Sequence, residues 1–79
     1  MNICIICEYG WIIIGHKENE SAESDLIKLH DASVVRRWNN GKGIGGIAKV
    51  ENASEYILDA IGDVNIRKNK VLFEIPCEW

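Results

Sequence analysis

Asn2-Ile3-Cys4-Ile5-Ile6-Cys7-Glu8-Tyr9-Gly10-Trp11-Ile12-Ile13-Ile14-Gly15-His16 is the stretch on which the fold turns. Two short runs rich in β-branched residues flank Glu8-Tyr9-Gly10, and β-branched side chains fit a pleated sheet better than the crowded turn of a helix. Short hairpin loops need φ > 0, which glycine reaches without a Cβ clash, so Gly10 is the expected pivot. The stretch therefore predicts an antiparallel hairpin, with strands over residues 2–7 and 11–16.

The segment from Lys17 to Asp25 is polar, mostly acidic and free of periodic apolar residues, so it is expected as a solvated loop and as the segment most prone to disorder. Leu26 to His30 predicts a third strand. Asp31-Ala32-Ser33 is its kink or bulge, and Val34 to Trp38 its continuation or a fourth strand. Asn39 to Gly46 holds four of the seven glycines and reads as a loop with close backbone approach. Ile44, Ile47 and Ala48 sit at helical spacing, predicting a single helical turn from Gly45 to Val50, weakened by its glycines. Glu51 to Glu55 is a polar connection with Asn52 and Ser54 as cap or turn residues. Tyr56 to Ile66 alternates with a bend near Asp59 and Gly62-Asp63, Arg67 to Lys70 is a basic turn, and Val71 to Cys77 is a final strand. That strand is expected to carry Val71, Phe73 and Ile75 on one face and Pro76 at its end. The fold class is mainly β: a small, strongly bent antiparallel sheet or SH3-like barrel of five to six strands with one short helical turn.

With 79 residues, 47% hydrophobic and 27% charged, the chain is one globular domain over residues 1–79, because a second core needs about 50 more residues. So small a domain buries little surface on folding, which favours a homo-oligomer. Nine Lys and Arg against twelve Asp and Glu leave a net charge of −3, which disfavours binding duplex nucleic acid through its backbone. Trp11 to Ile14 is far short of the ~20 apolar residues that cross a bilayer, and no basic leader precedes it, so the expected partners include no membrane and the expected location is cytoplasmic. Three cysteines fit a reducing compartment.

Arg36-Arg37-Trp38 at the end of a central strand, the Ile44 to Ala48 turn soon after it, and the closing Phe73-Glu74-Ile75-Pro76-Cys77-Glu78 resemble short, uncharacterised proteins common in tailed phages and prophages. With the opening hairpin the resemblance covers nearly the whole chain, its distinctive motifs being Arg-Arg-Trp and Ile-Pro-Cys. The long acidic insert and the Gly-rich loop depart from that pattern. The resemblance implies phage origin, hence the host cytoplasm, and a compact β-fold; it brings no catalytic residues.

Cys4-x-x-Cys7 with His16, His30 and Cys77 invites a zinc reading, yet successive strand residues point to opposite faces, so Cys4 and Cys7 diverge where a zinc knuckle needs a turn. The three cysteines are expected as core thiols, with no metal and no cofactor. Cys7, Cys77, His16, His30 and Asp31 hold the residue types of nucleophilic catalysis, but without a local signature for it the chain is not expected to be an enzyme. The informative stretch is Arg36 to Gly46. Arg36 and Trp38, two apart on a strand, are expected to share a face, placing a guanidinium beside an indole. Lys42 adds charge, and Gly41, Gly43, Gly45 and Gly46 let backbone N–H groups converge on an anion. The spacing is neither a P-loop nor a dinucleotide fingerprint.

These residues predict a binding site for a phosphorylated nucleotide-like small molecule. Together with the resemblance they suggest sequestration of a cyclic-nucleotide immune signal, as a counter-defence sponge. The alternatives are an acidic interaction module displaying Glu18, Glu20, Glu23 and Asp25 to a host protein, and a structural phage accessory subunit. Trp11 is expected in the core, and Trp79 frayed unless it docks on a neighbouring subunit.

Overall fold

The computed structural model describes residues 1–19 and 23–79; the middle of the acidic segment, including Glu20, lies outside the described residues. Five strands form a single antiparallel sheet: β1 (Ile3–Cys7), β2 (Ile12–Lys17), β3 (Leu26–Trp38), β4 (Tyr56–Arg67) and β5 (Val71–Pro76). Their order is β4-β3-β2-β1-β5, so β4 and β5 are opposite edges, yet a three-residue 3₁₀ turn, Lys68–Lys70, joins them. Four strand spacings of a flat sheet measure about 19 Å, and so short a link reaches only about 10–14 Å. The sheet must therefore curl. It is the strongly bent open sheet of the expectation and not a closed barrel, since β4 and β5 do not pair.

The opening hairpin has the register Ile3 to Gly15, Cys4 to Ile14, Ile5 to Ile13 and Ile6 to Ile12, closed by the Cys7 N–H donating to the Trp11 carbonyl at 2.8 Å. Gly10 takes φ 79° as its turn requires, but Tyr9 is left-handed as well, at φ 64°. β3 is one continuous strand. Its predicted kink is a bulge, where Asp31 takes φ 49° and the β3–β4 register slips opposite Gly62.

Two further slips overturn simple alternation. Between Ile6 and Cys7 the partner changes from Phe73 to Val71, so Leu72 is an extra residue and Val71 leaves the face of Phe73 and Ile75. Between Val35 and Arg37 the partner moves only from Leu58 to Ile57, so Arg36 is extra on β3. The single predicted helical turn is replaced by two 3₁₀ turns, Ile44–Ala48 and Val50–Glu55. Asn52, read from the sequence as a cap, instead donates its side-chain amide to the Gly46 carbonyl at 2.9 Å and ties the two turns together.

Alternation along β1 sends side chains into two apolar clusters. Cys4 and Ile6 pack with Ile14, Val35, Tyr56, Ile47 and Cys77; Ile5 and Cys7 pack with Ile27, Leu29, Ala32 and Ile66. Each fully buried aliphatic side chain contributes about 1.5–3 kcal/mol. Gly15 lets β2 and β3 approach, since a Cβ there would lie 3.0 Å from the Ala32 backbone. Trp79 docks on its own chain, its indole N–H donating to the Ile47 carbonyl at 2.7 Å and its carbonyl accepting the Asn2 N–H at 2.6 Å. Trp11, by contrast, is 59% exposed and is not a core residue, because it lies where the hairpin turns and no element covers it.

Candidate functional site

Where β3 runs out, the chain turns through Asn39 to Gly43 before the 3₁₀ segment returns it to β4. Asn40 shapes this turn through its side-chain oxygen, which accepts the Lys42 N–H at 2.9 Å, and Gly41 and Gly43 take φ 72° and 67°. Tyr56 opens β4 directly opposite Trp38, with ring centroids 5.9 Å apart, and its hydroxyl donates to the Gly43 carbonyl at 2.7 Å. Gly46 fits against that hydroxyl; a Cβ there would lie 2.7 Å from the Tyr56 oxygen and 2.8 Å from the Lys42 side chain.

The result is a cleft of about 450 Å³ lined by Arg37, Trp38, Asn39, Asn40, Lys42, Glu55 and Ile57. Trp38 and Lys42, singled out by sequence, line it. Arg36 does not. The bulge at Arg36 interrupts the alternation, and its guanidinium pairs with Asp59 at 3.0 Å, one step along β4 from Leu58, which like Trp38 packs against the cluster of Cys4 and Ile6. The expected shared face of Arg36 and Trp38 is thus not formed; Arg37 is the arginine that lines the cleft, opposite Ile57 on β4, while Trp38 lies opposite Tyr56. The glycines do not line the cleft either. Gly43 and Gly46 offer carbonyls to Tyr56 and Asn52, Gly41 turns the backbone, and Gly45 stands in open space, so their part is to build the wall.

The cleft's charges are unequal. Lys42 Nζ is committed to Asn52 Oδ1 and Glu55 Oε1, each at 2.9 Å, and this lysine holds the Glu55 carboxyl below the usual carboxylate range against a partial desolvation that acts the other way. Arg37 has no ion pair or hydrogen bond to any described residue. The Asn40 Nδ2 is shut off from solvent and makes no hydrogen bond of full geometry, and the acceptor beside it is the Glu55 carboxylate, which it helps keep ionised. A guanidinium unpaired among the described residues, a shielded amide N–H, an indole and the Ile57 side chain thus share one cleft. Alternation alone did not mark Arg37 as a cleft residue, while the dipeptide Asn39-Asn40 ahead of Gly41 was a legible turn signal whose shielded N–H was not.

A second cleft, about 480 Å³ at Asp25, Arg67, Lys68 and Asn69, has no aromatic wall. The cysteines hold no thiolate: burial pushes Cys4 up to about 12, with the neighbouring Cys77 adding to it, and burial raises Cys7 and Cys77 too. Cys4 and Cys7 belong to different apolar clusters, and no three metal-binding side chains are grouped among the described residues. His30 bonds Glu18 and Asp63 rather than a cysteine. Compared with models of known families, with curated proteins and with solved structures, the chain matches none.

Proposed function

We propose that this chain acts by binding, and that its ligand is a phosphorylated nucleotide-like small molecule held in the Arg37 to Ile57 cleft. The observation that carries the reading is the Asn40 Nδ2, a shielded donor without a well-formed hydrogen bond, in one cleft with Arg37, which pairs with no described residue. A buried donor left without a good acceptor costs about 1–3 kcal/mol, so a ligand that meets Asn40 at better geometry than Glu55 does recovers part of that. Phosphate offers acceptors and charge to Arg37 and Asn40, and a base offers a flat face to Trp38 and Ile57. Lys42 serves as the clasp that fixes Glu55 and the loop wall, and Glu55 favours ligands that present an N–H to it.

The biological role that fits, under the resemblance to phage proteins, is sequestration of a signalling nucleotide. The other class of function, a subunit or interaction module, draws on the exposed Tyr9, Trp11, Leu72 and Phe73, which lie at one end of the sheet where Glu8 pairs with Lys70 at 3.5 Å. They replace Trp79 as the surface through which the expected homo-oligomer forms, and sedimentation of Phe73→Ser against the native chain tests it.

Calorimetry against cyclic dinucleotides, cyclic oligonucleotides and ADP-ribose derivatives tests the ligand reading. One class should bind the native chain, and Arg37→Ala should lose about 2–5 kcal/mol, roughly 30-fold to several thousand-fold in affinity. Arg36→Ala, whose partner is Asp59, should bind like the native chain. If no member of the panel binds, the interaction-module reading takes precedence.

A further inference from the structure

His30 stands just ahead of the β3 bulge with a carboxylate on each ring nitrogen. Glu18 Oε1 lies 3.1 Å from Nε2, and Asp63 Oδ2 lies 3.3 Å from Nδ1. The three residues belong to different parts of the fold: Glu18 follows the end of β2, His30 is in β3, and Asp63 adjoins the left-handed Gly62 of β4. Only the imidazolium carries a proton on both nitrogens, so only the charged ring can donate to both carboxylates. A neutral ring turns a lone pair toward one of them.

The two carboxylates are not held equally. Asp63 Oδ1 also accepts the Asp31 N–H at 3.2 Å, whereas the Glu18 side chain has no partner but His30 among the described residues. With Asp63 anchored and Glu18 free to swing away, a neutral ring that keeps its one proton on Nδ1 is the arrangement that sets no lone pair against a fixed carboxylate.

We propose that His30 is a proton-operated latch: charged, it ties the exit of β2 to the bulged β3–β4 ribbon, and on losing its proton it keeps Asp63 and releases Glu18. The other charged and titratable groups around it are His16, its direct partner on β2, with Lys17 beside it; Lys28 and Asp31 on β3; and, on β4, Asp63 alone. Lys28 helps hold the Asp63 carboxyl low, after the hydrogen bonds from Asp31 and His30, which keeps that side of the latch charged throughout. The Glu18 bond, and after it the Asp63 bond, raises the His30 pKa above its ordinary 6.5. The latch therefore contributes its full stabilisation below 6.5 and loses it as pH rises through the raised value, a window that opens just above 6.5. Release is read at the neighbouring rung, where the Glu18 N–H donates to the Lys28 carbonyl at 3.0 Å.

The experiment is a histidine NMR titration from pH 5 to 9, with amide exchange measured at Glu18, on the native chain, Glu18→Gln and Asp63→Asn. In the native chain His30 should titrate above 6.5 and end as the Nδ1–H tautomer. The Glu18 amide should lose protection several-fold through the same midpoint. Glu18→Gln should lower the midpoint and abolish the step in protection, and Asp63→Asn should lower the midpoint and remove the Nδ1–H preference. A midpoint at or below 6.5, a neutral Nε2–H ring, or unchanged protection at Glu18 overturns the latch. These three readouts come from the native chain and decide the matter even if a variant fails to fold.

Discussion

The two apolar clusters are built by different means. The one around Ile5 and Leu29 is made of strand residues alone, drawn together by the bend at Asp31 and Gly62. The one around Cys4 and Ile6 is half strand and half lid, with Ile47 from a 3₁₀ turn, Cys77 and Trp79 from the closing segment, and Tyr56 hydrogen-bonded to the Gly-rich loop. The strand-built core follows from the period of two in β1. The lidded core depends on contacts between segments far apart in sequence, and the cleft is attached to that core. The lesson is that the site rests on the less locally encoded half of the molecule.

The largest test of this contrast is a pair of truncations. Ile47→Ala and Leu29→Ala each remove a side chain that is 0% exposed, so each should cost about 2–5 kcal/mol in urea unfolding. Both should lower the melting temperature, but only Ile47→Ala should alter the fluorescence of Trp38 and Trp79 in the folded protein; equal spectral effects would erase the distinction. Next in size is Cys4→Ser, expected to cost about 1–3 kcal/mol from a buried hydroxyl without a partner, with chelators leaving the native melting temperature unchanged. One tightly bound zinc per chain would contradict it.

Tyr56→Phe should cost about 0.5–1.5 kcal/mol by deleting the bond to the Gly43 carbonyl, and should loosen the loop more than it lowers global stability, as amide exchange at residues 40–46 would show. The smallest effect concerns acid. Glu78 is held below its usual range first by the Val50 N–H and then by Lys49, so its share of lid stability is present above 4.5 and fades as pH falls through the depressed folded value. Glu78→Gln should flatten that part of the acid-unfolding curve by lowering stability slightly at neutral pH, and should leave stability at the acid end nearly unchanged.

The hairpin, the long bulged β3 and the bend in β4 were legible because β-branched runs, Gly10 and Gly62 are local signals. The face switches at Leu72 and Arg36 were not, because a bulge is defined by the register of the partner strand, which the chain's own alternation does not reveal. That one slip turned Arg36 to Asp59 and left Arg37 as the arginine lining the cleft. Trp38 and Lys42, which line the cleft, drew notice because a tryptophan and a lysine flanking a glycine loop stand out in an acidic chain. The glycines stood out by their density; Gly41 and Gly43 take the left-handed turns of the wall, and Gly43 and Gly46 lend it carbonyls. Trp11 and Trp79 exchanged their expected roles, since position along the chain says nothing of which element lies above a side chain.

The central claim, that the cleft receives the acceptor its free donors lack, is tested most directly by the side-chain amide resonances of Asn40 during titration with the nucleotide class that calorimetry selects. The account predicts that the Asn40 NH₂ signals shift downfield in the native chain, with saturation at one ligand per cleft, and that Arg37→Ala abolishes the shift while its spectrum remains that of a folded protein. Binding that leaves the Asn40 signals in place, or that survives Arg37→Ala undiminished, would put the ligand elsewhere and contradict it.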